Sequence, residues 1–167
     1  MSELIDVLTP DGHPTRIRKP KTEVHRTGAW HRAAHLWILT PSEVLLQKRA
    51  DAKDNWPGWW DVSVAGHVSA GETALETVVR ETREELGLTV DANEIRHVGT
   101  LTEQCVLNDG AYIDNEIHEI FVTRREVDLS ALVLDPLEVA DVALVAIDEA
   151  RTWRVVPSSL RSLDLVC

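Results

Sequence analysis

Residues 66–88 read GHVSAGETALETVVRETREELGL. Within 72–86, positions Leu75, Val78, Val79, Thr82 and Leu86 recur at helical spacing, and Gly87 follows where a left-handed helix terminus would sit. The stretch predicts one amphipathic helix. Its last turns carry Glu81, Glu84 and Glu85. Like charges three and four residues apart repel by ~0.2–0.5 kcal/mol per pair, and an anion in the last turn opposes the helix dipole by a further ~0.3–1 kcal/mol. Arg80, four residues from Glu76 and from Glu84, offsets only part of this. A helix that gathers acid at its own negative end is short of a cation, and a broken local rule points to function.

The flanking sequence is rich in strand signals. AAHLWILT (33–40) and VLLQKRA (44–50) flank the Pro41-Ser42-Glu43 turn as a buried hairpin, and DVSVAGHV (61–68) reads as a third strand. IRHVGTLTEQCVL (95–107) and AYIDNEIHEIFVT (111–123) meet across Asn108-Asp109-Gly110, a strong hairpin turn, and DVALVAI (141–147) is a further strand. LIDVLTP and TRIRKP flank Asp11-Gly12, which predicts a small hairpin within residues 1–20. IDEARTW (147–153) and PSSLRSLDLV (157–166) read as short helices, the second with proline in its first turn. Strands grouped around one central helix, with more helix at the end, predict an α/β protein: an α/β/α sandwich with a mixed central sheet.

A chain of 167 residues fits a single domain over 1–167. The net charge of -11 argues against nucleic acid or an anionic membrane as the main partner, although acidic chains bind phosphates through metal ions. Cys105 and Cys167 form no CxxC pair and imply no disulfide framework. The start, MSELID, is charged and lacks an apolar core, and no apolar run reaches membrane-spanning length. These features predict a cytoplasmic location.

Read from Gly66, the chain has five residues before Glu72, seven before Arg80-Glu81, two before Glu84-Glu85, one before Gly87, and then Leu88. This resembles the signature box of the Nudix hydrolases at every position of fixed identity; Thr82 departs from it, standing where the family usually has an aliphatic residue. The resemblance implies the Nudix fold, a box at 66–88, and a Mg²⁺ site (Mn²⁺ as an alternative) built from Glu81, Glu84, Glu85 and the carbonyl of Gly66. It also implies that Arg80, counted with the catalytic set, pairs with Glu72 to brace the loop against the helix, and that Glu81 doubles as ligand or base. Mg²⁺ is hard and takes oxygen ligands, so these carboxylates suit it independently of the family. Such an ion would relieve the repulsion in the helix, polarise a phosphoryl oxygen and activate water.

From about Lys21 to Phe121, and most clearly over VLLQKRADAKDNWPGWWDVSVAGHV, the chain also resembles isopentenyl-diphosphate isomerases, which share that fold. Their histidine-rich metal site corresponds to His25, His31, His67, Asp114 and Glu116, with the first two histidines one residue closer than usual. Asp114 and Glu116 alternate to one side of a strand. Lys21, Arg49 and Lys53 match positions that hold the diphosphate. Trp56, Trp59 and Trp60 surround Pro57-Gly58 and would wall a prenyl tail, stack on a base or fill core. Against the isomerase reaction, Ala65 replaces the isomerase cysteine, Ser158 aligns with its tryptophan, and true isomerases lack most of the glutamates at 81, 84 and 85.

The sequence therefore predicts a Mg²⁺-dependent Nudix hydrolase that cleaves a diphosphate linkage with metal-activated water. Its small-molecule substrate would be a nucleoside diphosphate derivative or an isoprenoid diphosphate. The alternatives are an isomerase-like protein without hydrolase activity and a non-catalytic diphosphate-binding module. A second divalent ion at the histidine site and a homodimer follow from the resemblances alone. Glu138, ahead of a strand, and His118, on Glu116's side of its strand, lie near the expected site without an assigned role.

Overall fold

The computed structural model describes residues 2–167. The N-terminal hairpin is present as β1 (Leu4–Leu8) and β2 (Pro14–Pro20), paired antiparallel. The main sheet has seven strands: β3 (His31–Leu39), β4 (Glu43–Arg49), β5 (Trp60–Asp61), β6 (Val64–His67), β7 (Arg96–Leu107), β8 (Tyr112–Arg124) and β9 (Val139–Ala146). It is mixed. β3 runs parallel to β8 from His31 opposite Glu116 to Leu39 opposite Arg124, whereas β7 with β8 and β4 with β9 are antiparallel.

The expected strand over 61–68 is two short strands. β3 and β4 pair at Leu39 and Val44 beside their turn, and beyond it β6 pairs with β3 while β5 pairs with β4. Ser63 makes the crossing: its buried hydroxyl accepts from the Ile38 N–H at 2.9 Å and donates to the Leu45 carbonyl at 2.6 Å. The serine thus supplies the hydrogen bonds that a continuous ladder would have made. The opening between the two halves becomes the cleft described below.

Side-chain alternation along β3 divides the core. Leu36 and Ile38 pack with Val64, Val78, Leu86 and Phe121 beneath α2 (Ala74–Leu86). Trp37 and Leu39 face the opposite layer, with Leu46, Ile120, Val122 and Leu163, under α3 (Ile147–Ala150) and α4 (Pro157–Leu163). Helices on both faces of a mixed sheet confirm the α/β/α sandwich. Both C-terminal helices are shorter than their sequence patterns suggested.

Three details of α2 differ from expectation. Val78, Thr82 and Leu86 are buried, but Leu75 and Val79 are only partly so, and Glu85 takes an inward position. Thr82 is tolerated in the core because its hydroxyl donates to the Val78 carbonyl at 2.5 Å, which leaves its methyl group to pack. Glu76 is not a partner of Arg80; it closes a capping box with Thr73 at the helix start.

α1 (Lys21–Thr27) was not foreseen. KTEVHRT buries one apolar side chain, Val24, so it has no periodicity to read. The helix is set instead by its end. Gly28 turns left-handed at φ 67° and donates its N–H to Val24, and a Cβ there would stand 2.8 Å from Ile113 on β8. Among the described residues no helix is long and apolar enough to cross a membrane.

Candidate active site and metal centre

The cleft, about 790 Å³, opens beside the divergence of β3 and β4 and is lined by α2 glutamates and by the histidine cluster. Two acidic groupings that are distant in sequence thereby share one space.

On the α2 side, Glu81 folds directly over Gly66. A Cβ at residue 66 would lie 2.5 Å from Cγ and 2.6 Å from Oε1 of Glu81, so any larger residue would push the carboxylate away. Arg80 grips Glu72 through two bonds, Nε to Oε1 and Nη2 to Oε2, each 2.9 Å. Its remaining Nη1 donates to Glu81 at 2.8 Å and to Glu84 at 3.0 Å. The bond from Arg80 holds the Glu72 carboxyl below the usual carboxylate range. This guanidinium is spent on positioning carboxylates.

Glu84 is exposed and Glu85 is buried. Burial, reinforced by nearby Glu81, pushes the Glu85 carboxyl up to about 8. Gln47 Nε2 donates to its Oε2 at 3.0 Å. No motif had identified Gln47. The available signal was one amide in the otherwise apolar run VLLQ of β4.

Across the sheet, four segments bring the histidines together. α1 carries His25, β3 carries His31, β6 carries His67, and β8 carries Asp114 and Glu116. Ligand atoms of His25, His31, His67 and Asp114 all lie within 4.8 Å of one another. Glu116 Oε1 stands 3.1 Å from Nε2 of both His31 and His67, and its other oxygen is 2.7 Å from His118 Nε2. His25 Nε2 meets His67 Nε2 at 3.1 Å and the Tyr112 hydroxyl at 3.1 Å. Burial drives the His67 imidazole down to about 3, so the ring is neutral at physiological pH and keeps a lone pair for coordination.

A divalent ion suits this donor set on structural grounds. His25 Nδ1 and Asp114 Oδ1 face each other at 3.4 Å, and both are buried without a hydrogen-bond partner among the described residues. Orphaned buried polar atoms are costly, and imidazole with carboxylate is a usual ligand mix for Zn²⁺ or Mn²⁺.

Lys21, Arg49, Lys53 and Trp56 all line the cleft, but their cations are not idle. Arg49 Nη1 donates to Asp61 at 2.8 Å, and Nε donates to the Asn55 carbonyl at 3.0 Å, which ties down the loop at 51–58. Lys53 pairs with Glu138, and Lys21 lies 3.8 Å from Glu3. Trp56 sits at φ 50° with its ring edge-on to Trp59, whose face Arg154 covers at 4.3 Å. Trp60 packs against Trp153 in the core. His118 does share Glu116's side, and Ser158 and Ala65 also border the cleft.

Residues 29–165 match the NUDIX domain family. Over 155 residues the chain is 42% identical to Nudix hydrolase 3 of Arabidopsis thaliana, a match spanning 90% of this chain but only 20% of that protein's length. It is 34% identical over 132 residues to the isopentenyl-diphosphate Delta-isomerase of Rhodobacter capsulatus, covering 79% of this chain and 73% of the isomerase. Among solved structures, Deinococcus radiodurans DR0079 superposes with a TM-score of 0.76 at 18% identity, over 97% of this chain and 98% of that one. Box, fold and sequence agree: the chain belongs to the NUDIX domain family.

Proposed function

We propose that this protein is a Mg²⁺-dependent hydrolase of a diphosphate linkage, with Mn²⁺ as an alternative ion. The observation that carries the reading is the convergence of Glu81, Glu84 and Glu85 at one cleft wall, with Glu81 seated on Gly66 and Glu85 buried against Gln47. Glu85 is held by a neutral amide with no side-chain cation in contact among the described residues, and a bound divalent ion would supply the positive charge its ionised form lacks. When bound, such an ion supplies a Lewis acid for a phosphoryl oxygen and an acidified water.

The protein's own share is placement. Glu72 and Arg80 hold Glu81 and Glu84 at the wall, and Gln47 fixes the Glu85 oxygen. The Gly66 carbonyl completes the oxygen set. Lys21 and Lys53 exchange their carboxylate partners for phosphate oxygens when substrate enters, and Arg49 keeps the loop in place while facing the same space. His25, His31, His67, Asp114 and Glu116 hold a second divalent ion. Ala65 has no proton to transfer, which disfavours the isomerase reaction of the Rhodobacter relative.

The test is phosphate and pyrophosphate release with Mg²⁺ from nucleoside diphosphates, nucleotide sugars, and isopentenyl and geranyl diphosphates, with Glu84→Gln/Glu85→Gln as control. Turnover of one class, lost in the control, would establish the reaction and name the leaving group. Silence across the panel would overturn the hydrolase reading, and tight metal-dependent binding without turnover would favour a binding module. A subtler variant probes Gln47: replacing it by leucine keeps the volume but frees the Glu85 oxygen. Activity at limiting Mg²⁺ should fall about ten- to a hundredfold, recovering partly as Mg²⁺ is raised.

A further inference from the structure

Tyr112 begins β8, directly after the Asn108–Gly110 turn and two residues before Asp114. Its ring is stacked on the His25 imidazole, with centroids 4.1 Å apart and planes 14° from parallel. Its hydroxyl lies 3.1 Å from His25 Nε2. The opposite nitrogen, Nδ1, is the orphaned atom that faces Asp114 Oδ1 at 3.4 Å. Tyr112 therefore covers one face of the His25 ring, while Nε2 lies 3.1 Å from His67 Nε2 at the edge of the cluster.

His25 needs such support more than the other histidines do. His31 and His67 sit on strands within the ladder, but His25 rides on a seven-residue helix with no side-chain cap. That helix is fastened to β8 by the Asn115 amide donating to the Gly28 carbonyl at 2.7 Å and by the close approach of Gly28 to Ile113. None of these contacts sets the rotation of the imidazole. A ligating histidine must aim one lone pair, so a neighbour that fixes its ring plane supports the site.

We propose that Tyr112 is a positioning residue for the histidine metal site, its stacked ring fixing the plane of His25 so that the imidazole and Asp114 present a joint edge to a divalent ion. The inference rests on reading His25, His31, His67, Asp114 and Glu116 as that ion's site. It also connects the site to substrate. Asn108 Nδ2, in the same turn, donates to the Asp54 carbonyl at 3.0 Å, so the hairpin tip that steadies His25 also tethers the loop bearing Lys53 and Trp56.

The experiment is titration of the chelator-stripped full chain with Zn²⁺ by calorimetry, and with Co²⁺ by visible absorption, which reports ligand geometry apart from any activity. His67→Ala identifies the component belonging to the histidine site. Tyr112→Phe keeps the stacked ring and should leave that component and the Co²⁺ bands close to wild type. Tyr112→Leu, which loses the ring, should weaken it by about ten- to a hundredfold and shift the Co²⁺ bands, with circular dichroism confirming that each variant folds. If the wild-type chain shows no component sensitive to His67→Ala, the metal reading itself falls and takes this inference with it. If that component is present and Tyr112→Leu leaves its affinity and spectrum unchanged, or Tyr112→Phe loses as much as Tyr112→Leu, the metal site stands and the role of the stacked ring is overturned.

Discussion

Glu85→Gln is expected to lower hydrolysis by about a hundredfold or more and, in the absence of divalent ions, to make the protein more stable. On the proposed mechanism the first effect follows from removing a carboxylate that would hold the metal ion, and losing a single preorganised electrostatic group costs about 10²–10³ in kcat. The second follows from the state of the carboxyl. Burial, with Glu81 adding to it, raises this group from an ordinary 4.5 to about 8. Between those two values the folded chain keeps a proton that the unfolded chain has released, so stability is full below the lower value and declines as pH rises through the window. Glutamine has no proton to keep, and its amide can still accept the bond from Gln47. The variant's advantage in chemical denaturation should therefore be small near pH 5 and grow to the order of a few kcal/mol at pH 8. Added Mg²⁺ should reverse the order, because it stabilises only the protein that binds it. A variant no more stable than wild type at pH 8 without metal would show that the carboxylate is buried at no cost and would remove this account of the site.

Trp37→Ala should produce the largest loss of stability of any change considered. Trp37 is a large side chain at 0% exposure and lies between the sheet and α4. Removing a buried aromatic ring costs about 3–5 kcal/mol, the range reflecting how far the surroundings collapse. The Nε1–H also donates to the Ser162 hydroxyl at 2.9 Å, so alanine would remove that bond as well, leaving the buried hydroxyl only its donation to the Ser159 carbonyl. For a domain of this size such a loss lowers Tm by roughly 6–20 °C. The functional consequence is local. α4 places Ser158 at the cleft, and the β3 face that holds Trp37 also holds His31, Ala33 and His35. Trp37→Phe should recover most of the packing while losing the bond to Ser162. Equal melting temperatures for Trp37→Ala and wild type would mean that α4 is not held as described.

The central helix and its neighbours were legible because their information is local. The glutamates of 81–85 conflict with the helix dipole within one turn, apolar spacing and a terminal glycine bound the helix, and Asn108-Asp109-Gly110 imposes its turn by backbone preference alone. Such features need no distant partner, so the sequence by itself determined the box, the strand candidates and the class of fold. The five residues of the histidine site were reachable only through resemblance, since individually each is an ordinary polar residue.

Tertiary structure decided the rest. The segment KTEVHRT becomes a helix because Gly28 and β8 receive it, and nothing in its own periodicity requires that. His31 meets Glu116 across 85 residues of chain because β3 lies parallel to β8 in one register, and a shift of one residue would turn Glu116 to the opposite face. Ser63 divides a strand because β3 and β4 diverge around it. Gln47 and Tyr112 acquire their roles only when Glu85 and His25 arrive beside them. Local pattern follows from backbone sterics and periodic burial, whereas a site whose partners are far apart in sequence exists only once the packed sheet has brought its strands into register.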